Sequence, residues 1–149
     1  MRKTTHRWAY RGLVGLMFAV LLVACGGVAL APSHHGISGT FMLSAAYPSI
    51  TTDASGCQGV GGYGDIRAGA GVALKDGEGK ILALGSLSAG KPSGPQTTGF
   101  AAQCGFTFSL ADVPEVAFYS LEVSHRGASN YSLADMKAAN WTVALTLGR

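Results

Sequence analysis

Charge is scarce in this sequence: eight Asp and Glu and eleven Lys and Arg among 149 residues, with four of the bases in the first eleven positions. Residues 25–149 keep seven bases against eight acids, a side-chain sum of −1. A basic patch for nucleic acid is therefore missing, and no polyanionic partner is implied. Cysteine is limited to three residues, too few for a disulfide-dense scaffold or a four-thiolate metal site. No G-x-S-x-G nucleophile elbow occurs. No long stretch carries apolar residues at helical spacing, which argues against a bundle and against α/β architecture.

What is present begins at the amino end. Arg2, Lys3, Arg7 and Arg11 precede the apolar stretch Gly12 to Ala24, the charged and hydrophobic regions of a bacterial secretory signal. At about 13 residues that stretch is too short to span a hydrocarbon core, which needs roughly 20. It closes on Leu22-Val23-Ala24-Cys25, which reads as a lipobox. Small residues before the cysteine suit a peptidase that must fit the backbone closely, and the thiol can accept a diacylglyceryl group as a thioether. Residues 1–24 are thus expected to be a lipoprotein signal peptide and Cys25 the mature, lipidated N-terminus. The membrane partner is the bilayer itself, through two acyl chains that anchor stably where one is marginal. The location implied is the outer face of the cytoplasmic membrane.

Residues 25–36 contain Gly and Pro without alternation and read as a flexible tether with a root-mean-square span of about 18 Å. Residues 37–149 are enough for one domain and too few for two. With Cys25 assigned to lipid, Cys57 and Cys104 remain as a pair in an oxidising compartment, where a disulfide is expected. Two unrelated buried thiols are the alternative.

From Ile37 the pattern has a period of two. Ile37, Gly39, Phe41 and Leu43 alternate with polar or small residues as one half-buried strand. Val72 to Lys75 and Lys80 to Leu84 flank Asp76-Gly77-Glu78-Gly79 as a hairpin. Lys91-Pro92-Ser93-Gly94-Pro95 reads as loop. Cys104, Phe106, Phe108 and Leu110 share a face, and Asp112-Val113-Pro114-Glu115 is expected to turn the chain. Ala117 to His125 forms a strand with Tyr119, Leu121 and Val123 on one side. Ser132 and Asp135 have the spacing of a capping box for one short helical turn, and Trp141, Val143, Leu145 and Leu147 mark a last strand. The expected fold is all-β, a single antiparallel β-sandwich of about seven strands, with a small closed barrel as the alternative.

Several motifs carry possible chemistry. Gly59-Val60-Gly61-Gly62-Tyr63-Gly64 satisfies G-x-G-x-x-G by letter, but the fingerprint needs a following helix and none is patterned here. Asp53, Asp65 and Asp76 have calcium-compatible oxygens at no EF-hand spacing, and turn formation is the commoner use. His34, His35 and His125 lack the spacing of a metal site. Ser124 and His125, as neighbours on a strand, point to opposite faces, which defeats a nucleophile pair. No catalytic residue, metal or cofactor is assigned. Asp65, His125, Arg126 and Tyr131 are the candidate interaction rim.

Gly71-Val72-Ala73-Leu74-Lys75-Asp76, Gly79-Lys80, Phe106-Thr107-Phe108, Val113-Pro114 and Tyr119-Ser120-Leu121-Glu122-Val123 resemble the strand grammar of transthyretin-like modules, as in carboxypeptidase regulatory-like domains. Gly62-Tyr63-Gly64-Asp65-Ile66, Cys104-x-Phe106-x-Phe108, Asp112-Val113-Pro114 and Glu122-Val123-Ser124-His125-Arg126-Gly127 are similar to a family of uncharacterised exported and lipid-anchored actinobacterial proteins. The resemblance implies a sandwich at the outer membrane face and transfers no catalytic residue. The functional expectation is a lipid-anchored extracytoplasmic interaction module that docks an envelope protein. Two other classes compete. A carrier of a small apolar or glycan ligand would need a pocket lined by Phe41, Phe106, Phe108, Tyr119 and Trp141. A hydrolase would need His125, an acid such as Asp65 and a hydroxyl to meet in a cleft.

Overall fold

The structure, a computed structural model, describes residues 33–148. The signal segment, Cys25 and the tether up to Pro32 lie outside the described residues. Within them the chain runs β1 (His34–Ser44), β2 (Ile50–Asp53), β3 (Gly56–Gly59), β4 (Gly71–Asp76), β5 (Ile81–Ser86), β6 (Lys91–Thr97), β7 (Phe100–Pro114), β8 (Phe118–Val123), β9 (Ala128–Ser132), α1 (Leu133–Ala138) and β10 (Thr142–Gly148). One sheet has the order β10-β1-β7-β2-β3, with β6 also paired to β7. The other has the order β5-β4-β8-β9. The fold is an all-β sandwich whose two sheets share one core.

Alternation builds that core. Ile37, Phe41 and Leu43 from β1 meet Cys104, Phe106, Phe108 and Leu110 from β7, and Val72, Leu74, Tyr119, Leu121 and Val123 close it from the second sheet. Burying each large apolar side chain is worth roughly 1.5–3 kcal/mol, so twelve fully buried large side chains fix the strand register. A one-residue slip would turn each set out to water. Gly39 is opposite Phe108 in the β1–β7 ladder. A side chain at Gly39 would begin 2.1 Å from Phe108 Cζ, so the missing Cβ lets that ring lie across the strand.

Four local expectations are corrected. β1 starts at His34, three residues earlier than Ile37, because His34 and His35 pair with Pro114 and Val113 of β7. Lys91–Thr97 is a strand despite Pro92 and Pro95. It lies on the sheet edge with a register shift between Ser93 and Gln96, the setting in which a strand tolerates proline. β7 runs on through Val113 and Pro114, with the irregularity taken up by Asp112 at φ 57°. The last strand, β10, runs parallel to β1. The helix α1 links β9 of the second sheet to β10 of the first, so the chain changes sheets just before it pairs with β1.

The Cys57–Cys104 disulfide, Cα atoms 5.8 Å apart, ties the β2–β3 hairpin to the middle of β7. At the opposite end of the sandwich the Tyr119 hydroxyl donates to the Pro114 carbonyl (3.1 Å) and accepts from the Val116 N–H (3.0 Å). That is the device that pins a corner in many β-sandwiches. α1 begins with the expected capping box: Ser132 Oγ accepts from the Asp135 N–H, and the Asp135 carboxylate accepts from the Ser132 N–H. Among the described residues no helix is long and apolar enough to cross a membrane.

Candidate functional site

Three of the four residues expected at an interaction rim, Asp65, His125 and Arg126, gather around the turn between β8 and β9. β8 ends at Val123, whose carbonyl accepts from the Arg126 N–H at 3.0 Å. The two residues between, Ser124 and His125, both have positive φ, 47° and 61°. A two-residue turn of this hand follows the strand twist but ordinarily uses Asn-Gly, and each non-glycine residue costs roughly 1–2 kcal/mol. Ser124 and His125 are therefore turn residues, and their expected placement on opposite faces of a strand is corrected. Three bonds hold the turn from outside: Ser124 N–H to the Gly71 carbonyl (2.9 Å), Ser124 Oγ to the Asp65 carbonyl (3.3 Å), and the Arg126 side chain to Asp65.

Arg126 makes the most extensive polar contact of the rim. Its Nε donates to Asp65 Oδ2 at 2.8 Å, and its Nη2 donates to Asp65 Oδ1 and to the Gly62 carbonyl. The guanidinium carbon lies 5.5 Å from the centre of the Tyr63 ring, within cation–π range. The hydrogen bonds from Arg126 lower the Asp65 carboxyl to about 2, and Asp65 in turn raises Arg126. The glycine-rich segment thus ends as a binding loop for arginine. It holds a three-residue 3-10 helix, Gly61–Tyr63, before the chain returns to β4, so the helix a dinucleotide fingerprint requires is not there.

Beside this turn the outer face of the second sheet forms an open trough of about 460 Å³. Its apolar side is Ile81 and Leu84 of β5, 54% and 68% exposed. Its charged side is a row across β4 and β8: Lys75 Nζ donates to Glu122 Oε2 (2.8 Å), and His125 Nδ1 lies 3.2 Å from Glu122 Oε1. The bond from Lys75 is the main reason the Glu122 carboxyl titrates below its ordinary value. The His125 side chain is 97% exposed. Lys75, Glu122, Ile81 and Leu84 were not read as site residues from sequence. A signal existed in the unbroken apolar run Ile81-Leu82-Ala83-Leu84, because a strand without alternation must show apolar side chains on its outer face.

Tyr131 does not join the rim. It faces Tyr119 in the β8–β9 ladder, three residues or about 10 Å of strand beyond Ala128, and burial raises its phenol. Among the described residues the other two histidines, His34 and His35, lie at the opposite end from His125. His34 Nδ1 is 2.6 Å from Asp112 Oδ1, and His35 Nε2 is 2.8 Å from Glu115 Oε1 while its ring stacks on Trp141 at 3.9 Å. Lys137 completes that group on Glu115 Oε2 (2.9 Å) and is the larger cause of the lowered Glu115 carboxyl.

The arrangement bears on the competing chemistries. Asp53 caps its own turn through Ser55, and Asp76 accepts from the N–H groups of Glu78 and Lys80. With Asp65 held by Arg126, each of the three carboxylates serves a different local structure. Among the described residues no three His, Cys, Asp or Glu side chains gather as metal ligands. The Ser124 hydroxyl bonds the Asp65 carbonyl while the His125 ring faces Glu122, so these groups do not form the relay a hydrolase needs. Phe41, Phe106, Phe108 and Tyr119 are buried in the core, filling the space a carrier pocket would occupy. No family model, curated protein or solved structure matches the chain.

Proposed function

We propose that this chain is a lipid-anchored extracytoplasmic interaction module that docks an envelope protein through the trough on its second sheet. The observation that carries the docking is the pairing of two exposed aliphatic side chains, Ile81 and Leu84, with the Lys75–Glu122 ion pair and the His125 ring beside it. Apolar contact area supplies affinity, and a held ion pair supplies register and rejects mismatched partners. Two left-handed residues at the trough's end support the same reading, since strained turns concentrate at ligand contacts. The lipobox at Leu22–Cys25 and the resemblance to exported lipid-anchored proteins support the location.

The test is in-cell photo-crosslinking of the full chain with a photoreactive residue at Leu84, beside the same residue at Lys91 on the opposite sheet. A single envelope protein captured from position 84 and lost on His125→Ala is the expected result. Equal capture from both positions, or none where a control lipoprotein's partner is recovered, would remove the reading.

A further inference from the structure

Among the described residues β10 pairs only with β1, so its other side is a sheet edge. An unpaired edge offers a row of backbone N–H and C=O groups to any second strand, and folds blunt it with short length, proline, charge or a bulge. The other edges use those devices. β3 has four residues and β9 five, β6 carries Pro92 and Pro95, and β5 meets β4 with a register shift. β10, Thr142-Val143-Ala144-Leu145-Thr146-Leu147-Gly148, is seven residues long, has no charge and no proline, and keeps an unbroken register with β1.

The Ser38 N–H donates to the Trp141 carbonyl (3.1 Å), which sets the alternation along the strand. Val143, Leu145 and Leu147 turn their backbone groups to β1, and Ala144 and Thr146 turn theirs outward. Thr142 offers only its carbonyl, because its N–H donates to the Ala139 carbonyl at 3.1 Å. On the core face Val143 is buried, whereas Leu145 and Leu147 are half-buried. Beside them a slit of about 70 Å³ opens between β10 and β9, with Phe41 and Leu121 in its wall. Core side chains at this edge thus lack a neighbour on one flank.

We infer that β10 is a self-pairing edge: two copies of this chain join their β10 strands antiparallel about a two-fold axis through Ala144. The order of residues in the strand favours this occupant over an unrelated strand. Thr142 and Thr146 stand symmetrically about Ala144, as do Val143 and Leu145. A two-fold axis there sets Thr142 opposite Thr146 of the second copy, a favourable cross-strand pair on the outer face. On the core face Val143 meets Leu145 of the second copy and covers the half-buried leucine. The small Ala144 side chain is the one that meets its own counterpart. Backbone bonds follow the same register: Ala144 exchanges N–H and C=O with its counterpart, and each Thr146 N–H donates to the Thr142 carbonyl across the axis. This edge is separate from the trough on the second sheet, and the pairing does not depend on Cys25.

The experiment uses the full chain, tagged and expressed in cells, oxidised in place and run on non-reducing gels. Residues directly opposite across the axis lie about 5.5 Å apart at Cα, within disulfide range. Ala144→Cys should give a covalent product of twice the chain's mass. Thr142→Cys and Thr146→Cys expressed singly should give at most about a fifth of that yield, since each lies about 13 Å along the strand from its own counterpart. Coexpressing those two variants should restore the product. Peptide mass spectrometry assigns each linkage, which separates it from exchange at Cys25, Cys57 or Cys104. Absence of product from both Ala144→Cys and the coexpressed pair, or equal yields from all three single variants, would overturn the pairing. A better yield from Ala144→Cys coexpressed with Thr146→Cys than from Ala144→Cys alone would overturn the axis at Ala144. A product whose mass is not twice the chain's would assign the edge to another protein and overturn the self-pairing.

Discussion

Arg126 and Asp65, 61 residues apart in sequence, meet as a two-oxygen ion pair that fastens the β8–β9 turn to the glycine-rich loop. Both partners are about a third exposed, so solvent screens the pair and Arg126→Ala should cost on the order of 1 kcal/mol. The pH dependence identifies the bond. Asp65 titrates at about 2, below its ordinary 3.8, so its contribution is complete above about pH 4 and is lost as pH falls through about 2. Urea midpoints of the wild type and Arg126→Ala should differ at pH 7 and converge toward pH 2. A gap that stays constant over that range would show that Arg126 acts through packing alone.

The strain in the rim turn has its own signature. His125 sits at φ 61° with its side chain almost wholly in solvent. His125→Gly should therefore stabilise the fold by about 1 kcal/mol in urea unfolding, because glycine adopts this conformation without a Cβ clash. A loss of stability would mean that the Glu122 contact outweighs the strain.

Gly90 lies against the disulfide. A Cβ there would begin 2.3 Å from the Cys57 carbonyl oxygen and 2.5 Å from Cys104 Sγ, and neither atom is a free-moving tip. Gly90→Ala should destabilise by about 1–3 kcal/mol, the usual cost of overpacking. Thermal unfolding of the oxidised protein measures it, and an unchanged midpoint would contradict the close approach.

The disulfide closes a sequence separation of 47 residues. Replacing Cys57 and Cys104 together by alanine should cost roughly 4 kcal/mol on the chain-entropy account. Urea unfolding of the double variant checks this. A loss below about 1 kcal/mol would show that the buried β3–β7 contact holds the hairpin without the covalent link.

Local pattern was legible where burial is one-sided. Ile37, Phe41 and Leu43 and the run Cys104, Phe106, Phe108, Leu110 alternate in the sequence and are buried in the structure. The Ser132–Asp135 spacing specified the cap of α1. What depends on distant neighbours was not legible. Pro92 and Pro95 read as loop because their strand is imposed by β7 alongside. The parallel direction of β10 follows from its pairing with the distant β1, which no local residue encodes. Asp65 and Arg126 could each be named for the rim, but their pairing depends on how two loops fold together. Lys75 and Glu122 looked like ordinary outward residues until their side chains joined across β4 and β8.

The proposed anchorage at Cys25 underlies the proposed location, and intact mass spectrometry of the protein purified from the membrane fraction tests it most directly. The account predicts a chain beginning at Cys25 and carrying a diacylglyceryl thioether, with Cys25→Ala lacking the modification and leaving the membrane fraction. A wild-type chain that retains residues 1–24, or that begins at Cys25 without lipid, would contradict it.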